Sequence, residues 1–435
     1  MSDKEEKMPG QDSVLFQPLT IGKLKIPGRL IKAATSETRA SSDGFSTDKL
    51  IEFYEPMAMA KTPLIITGNI YVSRDGKSTP NELGIECDEK LAKLSLLTEA
   101  VHRHGSKIFA QLSHCGRQVL PTSVGLSKAL SASNVKDLLT GTKPRALTVE
   151  EIQRIVKEFG DAAIRCKKAG FDGIQIHAGH GYLVSQFLTP YTNRRHDEYG
   201  GSLENRVRLL RDIYRAIRDR VGADFPVIIK INGSDYLPLR RGLKTPQLVE
   251  MAKIMEREGV DAVEVSVGHY ESGFPVVRGS FFLCLQGMVQ GSVRFLPFFR
   301  RMAFRLFWPL LAVVFDVIWR PCQGFNLRYA REFKAALSVP VICVGGFITR
   351  EKMEAALEEG VCDAISGGRS FIADPFLYQH LRTNVKGPQC VFCNACVGHI
   401  GRLPVDCYHP EVRKEKDAML AAEMSRETEQ HSLPQ

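Results

Sequence analysis

Three side chains that can hold or transfer protons lie close together in the stretch HAGHGYLVSQFLTP, residues 177–190. His177 and His180 are three residues apart, Tyr182 follows two positions later, and the group stands where an apolar run ends. Taken alone, the histidines could be satisfied core residues or part of a zinc site, and the tyrosine a half-buried aromatic residue. A zinc metalloprotease would also need a third ligand and a helical glutamate, and the stretch has neither.

The elements that must position these residues predict an α/β fold. Short β-branched apolar runs alternate with amphipathic stretches, several of which begin at Ser, Thr or Asp and end at Gly. Eight such strands with intervening helices predict a (β/α)8 TIM barrel. The segment LFQPLTIGKLKIPGRLIKAA predicts an N-terminal β-hairpin that plugs the bottom of the barrel. The predicted strands end at Ala33, Gly68, Leu112, His177, Asn232, Val267, Gly345 and Gly367.

The active site of such a barrel forms at the carboxyl ends of its strands, so the residues after each apolar run are the candidates. Glycines after strands 7 and 8, with Arg369 beside them, could hold a phosphate through backbone N–H groups and one guanidinium. Gln111 could pair with a pyrimidine-like edge, and Lys230 offers a fixed positive charge. Together they predict a mononucleotide across the barrel mouth. The candidate contacts are Ala34, Thr35, Ser36, Gly68, Gln111, Lys230, Gly345, Gly346, Gly368 and Arg369, with His269 and Tyr270 nearby.

The formal net charge of +9 in 435 residues is mildly basic, but the excess is local. Residues 278–320 carry six arginines and one acid, Asp316, within an apolar and aromatic segment. This pattern favours a membrane surface or an anionic ligand over nucleic acid. The uncharged stretch of residues 281–293 has 13 residues, short of the roughly 20 that span a bilayer. We therefore expect no nucleic-acid partner and no transmembrane helix.

The chain divides into four predicted regions. Residues 1–13 are expected to be disordered, 14–385 to form the barrel, 386–412 a cysteine-rich extension and 413–435 a charged tail. Within the barrel, residues 280–322 are an insertion between strands 6 and 7, either a lid or a membrane-interface segment. The first residues lack an apolar signal core, so the eleven cysteines are expected to be thiols or metal ligands. The predicted location is the cytoplasm, free or at a membrane.

Long stretches of the chain resemble the Old Yellow Enzymes, the FMN-dependent ene-reductases. The resemblance covers nearly all of residues 14–385 except the 280–322 insertion, and includes FAQLSHCGRQ, VPVICVGGF and ISGGRSFIADP. Its most specific part is NRRHDEYGGSLENR, residues 193–206. The resemblance implies a barrel that binds FMN, is reduced by NADH or NADPH, and passes a hydride to an electron-poor C=C bond.

The resemblance also implies roles for individual residues. His177 and His180 match the pair that donates hydrogen bonds to a substrate carbonyl oxygen and stabilises the enolate. Tyr182 matches the phenol that protonates the α-carbon. The candidate contacts given above, apart from Gly345, match flavin contacts, and the Ser36 hydroxyl would touch the flavin O4. Lys230 stands where many members have arginine, and either cation would stabilise the anionic reduced ring.

Four cysteines form a C-x2-C-x2-C-x10-C pattern after the barrel. A similar cluster binds a [4Fe–4S] centre in longer relatives such as the bacterial 2,4-dienoyl-CoA reductases. Their pattern has one more residue before the third cysteine, so this chain departs from it, and it lacks the G-x-G-x-x-G fingerprint of their second flavin domain. Three interpretations of these cysteines are therefore left open: an iron–sulfur cluster, a zinc site with His399 or His409, and free thiols. The four are Cys390, Cys393, Cys396 and Cys407.

The sequence thus predicts an FMN-dependent NAD(P)H oxidoreductase acting on a small enone, enal or enoyl compound. One alternative is a Schiff-base lyase or aldolase with Lys230 as nucleophile. Another is a membrane-associated barrel that keeps FMN without turnover. The physiological acceptor, the choice between NADH and NADPH, and the oligomeric state are not determined by the sequence.

Overall fold

The computed structural model describes residues 13–237, 242–273, 275–291, 293, 296, 298–400 and 403–432. Of the predicted disordered N-terminus, residues 1–12 lie outside this part of the chain. The strands are β1 (Leu19–Ile21), β2 (Leu24–Ile26), β3 (Leu30–Lys32), β4 (Leu64–Tyr71), β5 (Leu83–Gly84), β6 (Lys107–Ser113), β7 (Leu130–Ser131), β8 (Arg145–Ala146), β9 (Gly173–Ala178), β10 (Val227–Asn232), β11 (Ala262–Ser266), β12 (Val341–Val344) and β13 (Ala364–Gly367). The helices are α1 (Asp48–Met59), α2 (Leu91–Arg103), α3 (Val149–Lys168), α4 (Leu183–Leu188), α5 (Leu203–Val221), α6 (Thr245–Glu258), α7 (Phe282–Gln290), α8 (Phe298–Ile318), α9 (Leu327–Ala336), α10 (Arg350–Glu358), α11 (Arg369–Ala373), α12 (Leu377–Thr383), α13 (Ala395–Gly398) and α14 (Pro410–Ser432).

Eight strands form a closed parallel barrel in the order β3-β4-β6-β9-β10-β11-β12-β13. The pairing of β13 with β3 closes the ring. At least one helix follows each barrel strand along the chain, so the predicted (β/α)8 barrel is confirmed. The register places Lys230 between His177 of β9 and Glu264 of β11. Side chains of three neighbouring strands can therefore meet at one level of the barrel.

The N-terminal hairpin plugs the bottom of the barrel, as predicted. Strands β1 and β2 pair antiparallel, and Ile21 and Ile26 are fully buried. They pack with apolar side chains of the barrel strands, including Ile66, Phe109 and Ile228. Burying this apolar surface closes one end of the barrel, so the opposite end, where the strands' carboxyl termini lie, is the one available for a site.

Seven of the eight predicted strand ends agree with the structure to within one residue. The exception is strand 2, which was expected to stop at Gly68 and instead continues to Tyr71 as β4. The pairing of β4 with β6 shifts register between Ile66 and Asn69, which marks a β-bulge. The bulge contains Gly68, and the strand resumes beyond it, so the carboxyl end of this strand carries Asn69.

The insertion lies between β11 and β12, as predicted, and contains α7 and α8. Apolar side chains on one side of this insertion, including Phe281, Leu285 and Trp319, are buried, and the partly buried Tyr236 and Val397 of other segments pack against them. The tail predicted from residue 413 continues helix α14, which begins at Pro410. In the described part of the chain, no helix is both long and apolar enough to cross a bilayer.

Candidate functional site

A cavity of about 460 Å³ opens at the carboxyl ends of the barrel strands. This volume is within the range of roughly 300–1,000 Å³ that is usual for small-molecule and cofactor sites. Most of the predicted site residues line it, although they come from six different strand ends. They are Ala34, Thr35, Ser36, Gln111, His177, His180, Tyr182, Lys230, Gly346, Gly368 and Arg369.

The two histidines are joined to each other and held from both sides. His177 is the fifth residue of β9, and its Nε2 lies 3.0 Å from Nδ1 of His180. The backbone of His180 has φ 59°, in the left-handed region, and this turn brings its ring back toward His177. At the far ends of the pair, Asn69 Oδ1 lies 3.1 Å from His177 Nδ1, and Ser266 Oγ lies 2.7 Å from His180 Nε2.

Burial keeps both histidines neutral. The pKa of His177 lies well below its ordinary value because its ring is desolvated and because His180 and Lys230 are close. Desolvation, followed by the charge of Lys230, lowers the pKa of His180 to about 3. Each neutral ring carries one N–H group. If the His177 Nδ1–H donates to Asn69, then the His180 Nδ1–H donates to His177 and the Ser266 hydroxyl donates to His180.

Tyr182 lies against this pair as a neutral phenol. Its ring centroid is 4.4 Å from that of His177. Desolvation raises the pKa of Tyr182, the nearby Glu82 carboxylate adds to this effect, and a hydrogen bond from Asn69 opposes it. Asn69 therefore touches both His177 and Tyr182. The sequence pattern pointed to Gly68 and not to Asn69 at this strand, because nothing in it indicates the bulge that brings Asn69 to the histidine pair.

A series of four buried polar side chains, joined by hydrogen bonds and an ion pair, lies at the base of the cavity. The Gln111 Nε2 donates to Gln175 Oε1 at 2.6 Å, and the Gln175 Nε2 donates to Glu264 at 2.5 Å. Glu264 in turn lies 3.3 Å from the ammonium group of Lys230. All four side chains are buried. This series fixes the amide of Gln111 and the charge of Lys230, the two groups predicted to face a bound ring.

The predicted phosphate cradle lies on the opposite side of the cavity. Gly346 has φ 72°, which favours glycine, and a Cβ at this position would come within 2.9 Å of the Cys322 carbonyl oxygen. A Cβ at Gly368 would meet only Thr35 Cγ2, at 3.4 Å, so this backbone is open toward the cavity. The Arg369 guanidinium lines the cavity, donates to the Arg278 carbonyl oxygen at 2.8 Å and also bonds Asn394 Oδ1.

Two predicted contacts do not reach the cavity wall. A Cβ at Gly68 would collide with the Thr35 carbonyl oxygen and with Glu37, so glycine is required there by packing in the bulge. Gly345 packs against the backbone of Phe325 and Asn326. Neither glycine is among the residues that line the cavity, so contact of these two glycines with a cofactor stays a prediction.

The cysteine-rich extension forms part of the cavity wall. Its lining residues include Phe392, Val397 and two of the four clustered cysteines, Cys390 and Cys396. Burial raises the pKa of the Cys393 and Cys396 thiols and raises that of Cys407 to about 11. Among the described residues, which include all four cysteines, no three His, Cys, Asp or Glu side chains come close enough together to hold a metal ion. An iron–sulfur or zinc site is therefore not shown at these cysteines, and we assign no step to a metal.

A closed (β/α)8 barrel with a cavity at the carboxyl ends of its strands, into which several titratable side chains point, is the architecture of a barrel enzyme. The chain belongs to the NADH:flavin oxidoreductase / NADH oxidase family, whose model matches residues 14–286. The resemblance drawn from the sequence motifs is thereby confirmed.

Similar proteins with assigned names support the same family assignment. An NADH oxidase of Thermoanaerobacter brockii is 33% identical over 388 residues, which are 88% of this chain and 53% of that protein. A cinnamate reductase of Clostridium sporogenes is 30% identical over 439 residues, covering 94% of this chain and 59% of that protein. The chain thus spans little more than half the length of these two relatives. Among solved structures, an old yellow enzyme homologue from Zymomonas mobilis matches with a TM-score of 0.68 and 26% identity, over 92% of this chain and 99% of that one.

Proposed function

We propose that this chain is an FMN-dependent reductase that takes a hydride from NADH or NADPH and delivers it to an electron-poor C=C bond of a small enone, enal or enoyl compound. The observation that carries the proposal is the placement of His177, His180 and Tyr182 in the same cavity as the Gly368–Arg369 cradle. The family supports FMN and a nicotinamide donor. The name of the Clostridium relative, cinnamate reductase, supports an α,β-unsaturated acceptor.

The residues of the cavity fit FMN. The open backbone at Gly368 and the guanidinium of Arg369 would hold its phosphate. The Gln111 amide, fixed by Gln175, would pair with the pyrimidine edge of the ring, and Lys230 would stabilise negative charge on it. The remaining contacts would come from residues 34–36 and Gly346. When bound, FMN accepts a hydride from the nicotinamide and supplies one to the acceptor.

The histidine pair would bind the carbonyl oxygen of the acceptor. Both rings are neutral at physiological pH, so each carries one N–H group. The His180 Nδ1–H already faces inward, whereas His177 can donate to a developing negative charge only in the tautomer that carries its proton on Nε2, with the Asn69 amide turned to donate to Nδ1. The two rings bond each other at 3.0 Å, so the proposal requires this mutual bond to give way to the carbonyl oxygen. Asn69 and Ser266 would hold the outer ring nitrogens during this exchange.

Tyr182 would supply the proton to the α-carbon. Its raised pKa keeps the phenol protonated across the physiological range, so a proton is available at Oη in each cycle. The nicotinamide and the acceptor would use the cavity in turn, since one cavity holds both the proposed donor and acceptor groups. Binding one therefore excludes the other.

The rival reading of Lys230 as a Schiff-base nucleophile is less well supported. A Schiff-base nucleophile must be free to attack a carbonyl carbon, whereas the Lys230 nitrogen is engaged with the buried Glu264 carboxylate at 3.3 Å. Contact of residues 280–322 with a membrane is a separate proposal, because it does not depend on this chemistry. An iron–sulfur centre at the four cysteines is also left to a direct measurement of metal content.

The test begins with the visible spectrum of the purified protein before and after anaerobic addition of NADPH or NADH. We expect a yellow protein whose flavin absorbance bleaches and returns on addition of an enone. Tyr182→Phe should keep the bleaching step but slow reoxidation by the enone about 10²-fold or more. Tyr214→Phe, which removes a phenol on α5 that bonds Gly259, is the matched control.

Two results would overturn the proposal. One is a colourless protein that does not take up added FMN. The other is a Tyr182→Phe variant that is reoxidised by the enone as fast as the control. Covalent trapping of a carbonyl compound on Lys230 by borohydride would favour the Schiff-base alternative instead.

A further inference from the structure

The outward side of α8 is an apolar surface without a protein partner among the described residues. Ten of the eighteen strongly exposed large apolar side chains in the described part of the chain lie on this helix. The most exposed include Phe299 at 84%, Leu306 at 70% and Leu310 at 63%. Soluble monomers rarely expose apolar patches this extensive, and such patches usually mark an interaction site. We call this surface the α8 outer face; its central stripe is Phe299, Met302, Leu306, Leu310, Val313 and Val317.

The helix is anchored, so the α8 outer face is held in a defined position. On the inner side Ala312 and Trp319 are buried, and Phe315 packs against Phe281 with ring centroids 5.4 Å apart. The only acid of α8, Asp316, accepts a hydrogen bond from the Phe281 backbone N–H at 2.6 Å. Its carboxylate is thus turned toward the protein and away from the outer face.

A second segment extends this surface. Leu138 and Leu139, in the loop before β8, are 47% and 41% exposed. The Arg300 Nη1 at the start of α8 donates to both of their carbonyl oxygens, at 3.1 and 3.3 Å. Glu271 also accepts from the Leu138 backbone N–H at 2.5 Å, while it pairs with the buried Arg117. Two apolar segments that are 160 residues apart in the chain are therefore fixed side by side.

The charges on and beside the α8 outer face indicate which kind of partner it binds. Arg305 is exposed within the apolar stretch of α8, Arg320 is exposed just past its end, and Arg301 is half-buried at its flank, so the charges of this segment that reach solvent are cationic. A second copy of the chain would bring the same cationic face opposite itself, which is unfavourable. An anionic lipid surface instead offers hydrocarbon to the apolar stripe and negative headgroups to the arginines. An amphipathic helix with this arrangement lies in the plane of the bilayer surface.

We propose that the α8 outer face, together with Leu138 and Leu139, docks on the surface of an anionic phospholipid bilayer. The inner side of the same segment packs with Val277 and Val397, which also line the cavity. Docking therefore holds the cavity wall next to the lipid. The proposal concerns binding alone and stands or falls independently of the reductase chemistry.

Flotation of the full-length protein with phospholipid vesicles tests the proposal. We expect the protein to float with phosphatidylcholine vesicles that contain phosphatidylserine, and to bind pure phosphatidylcholine more weakly. The triple variant Phe299→Ser, Leu306→Ser, Leu310→Ser should bind at least about tenfold more weakly. The control Leu96→Ser, Val385→Ser changes two exposed apolar residues elsewhere, at 45% and 56% exposure, and should bind as the unaltered protein does.

A charge variant gives an independent measurement. Arg301→Gln, Arg305→Gln should lose the preference for phosphatidylserine, and added salt should weaken binding of the unaltered protein in the same way. Analytical sedimentation of the protein without lipid shows whether a second copy of the chain covers the α8 outer face, because a dimer would then form. No flotation of the unaltered protein, unchanged binding by the triple variant, or a dimer that the triple variant dissociates would each overturn the proposal.

Discussion

The ammonium group of Lys230 lies 3.3 Å from Oε2 of Glu264, and both side chains are buried. Lys230 lines the cavity, whereas Glu264 lies behind it on the neighbouring strand β11. A buried carboxylate at this distance offsets much of the field that the ammonium group exerts on the cavity. The electrostatic potential at this side of the cavity is therefore set by the pair.

Replacing Glu264 with glutamine should raise the midpoint potential of the bound flavin. The substitution removes the countercharge at nearly constant volume, so Lys230 would stabilise the anionic reduced ring more strongly. We expect a rise of roughly 30–60 mV, since about 30 mV corresponds to 1.4 kcal/mol for a two-electron couple. A dye-coupled potentiometric titration measures it. Glu250→Gln, at an exposed pair with Lys253, is the control, and an unchanged potential in Glu264→Gln would contradict the inference.

Asn69 should act as a positioning residue for the proposed donors. Its amide contacts both His177 and Tyr182, so Asn69→Ala should leave both rings less well oriented. We expect reoxidation by an enone to slow by about tenfold to a hundredfold. Reduction by NADPH should change much less, because the proposed hydride donor does not need the phenol. Stopped-flow measurement of the two half-reactions separates these effects. Asn205→Ala on α5 is the control, and equal loss in both half-reactions would point to general damage.

His180 should make the protein less stable as the pH falls. Its pKa is about 3 in the folded chain and near 6.5 when unfolded, so below pH 6.5 the unfolded state binds a proton that the folded state does not. The stability present above that pH is lost as the pH falls. Between pH 7 and pH 5 the free energy of unfolding should fall by about 1–2 kcal/mol because of this half-buried ring. In chemical denaturation, His180→Gln should lose less stability over this interval than the unaltered protein does.

Glu82 should have the opposite effect. Burial raises its pKa to about 7, so the folded state holds a proton that the unfolded state releases above about pH 4.5. The stability from this group is present at low pH and is lost as the pH rises through 7. Glu82→Gln should therefore stabilise the protein at pH 8.5 by up to about 3 kcal/mol and have little effect at pH 4.5. The exposed Glu99→Gln is the control; a gain that is the same at both pH values would argue against this account.

The four clustered cysteines should not be needed for flavin binding. Because no three metal-ligating side chains of the described residues group as a metal site, Cys407→Ser should leave the flavin content and the visible spectrum unchanged. Elemental analysis of anaerobically purified protein should give far less than four irons per chain. A broad absorbance near 400 nm that disappears in Cys407→Ser, together with stoichiometric iron, would show instead that the extension closes around a cluster.

Much of the site could be predicted from the sequence, because it depends on where each strand ends along the chain. In a parallel barrel the residue after each buried strand must face the same mouth, so strand ends alone brought His177, Lys230 and Arg369 to one cavity. The hairpin and the position of the insertion followed from the same alternation of apolar runs. The sequence did not predict which glycines line the cavity. Gly68 and Gly345 stand at strand ends as Gly368 does, but they pack against neighbouring protein atoms.

Residues far apart in the chain decided the rest. The bulge that carries Asn69 to the histidine pair, the pairing of Glu264 with Lys230, and the contact of Arg300 with Leu138 each join segments whose proximity no local pattern encodes. The sequence by itself determined the barrel, its family and the residue types at its mouth, since these depend on the periodicity of burial and on local motifs. Only the tertiary structure decided which charges are cancelled, which glycines face the cavity and which side of α8 stays exposed, because those depend on which side chains meet when the chain closes into a ring.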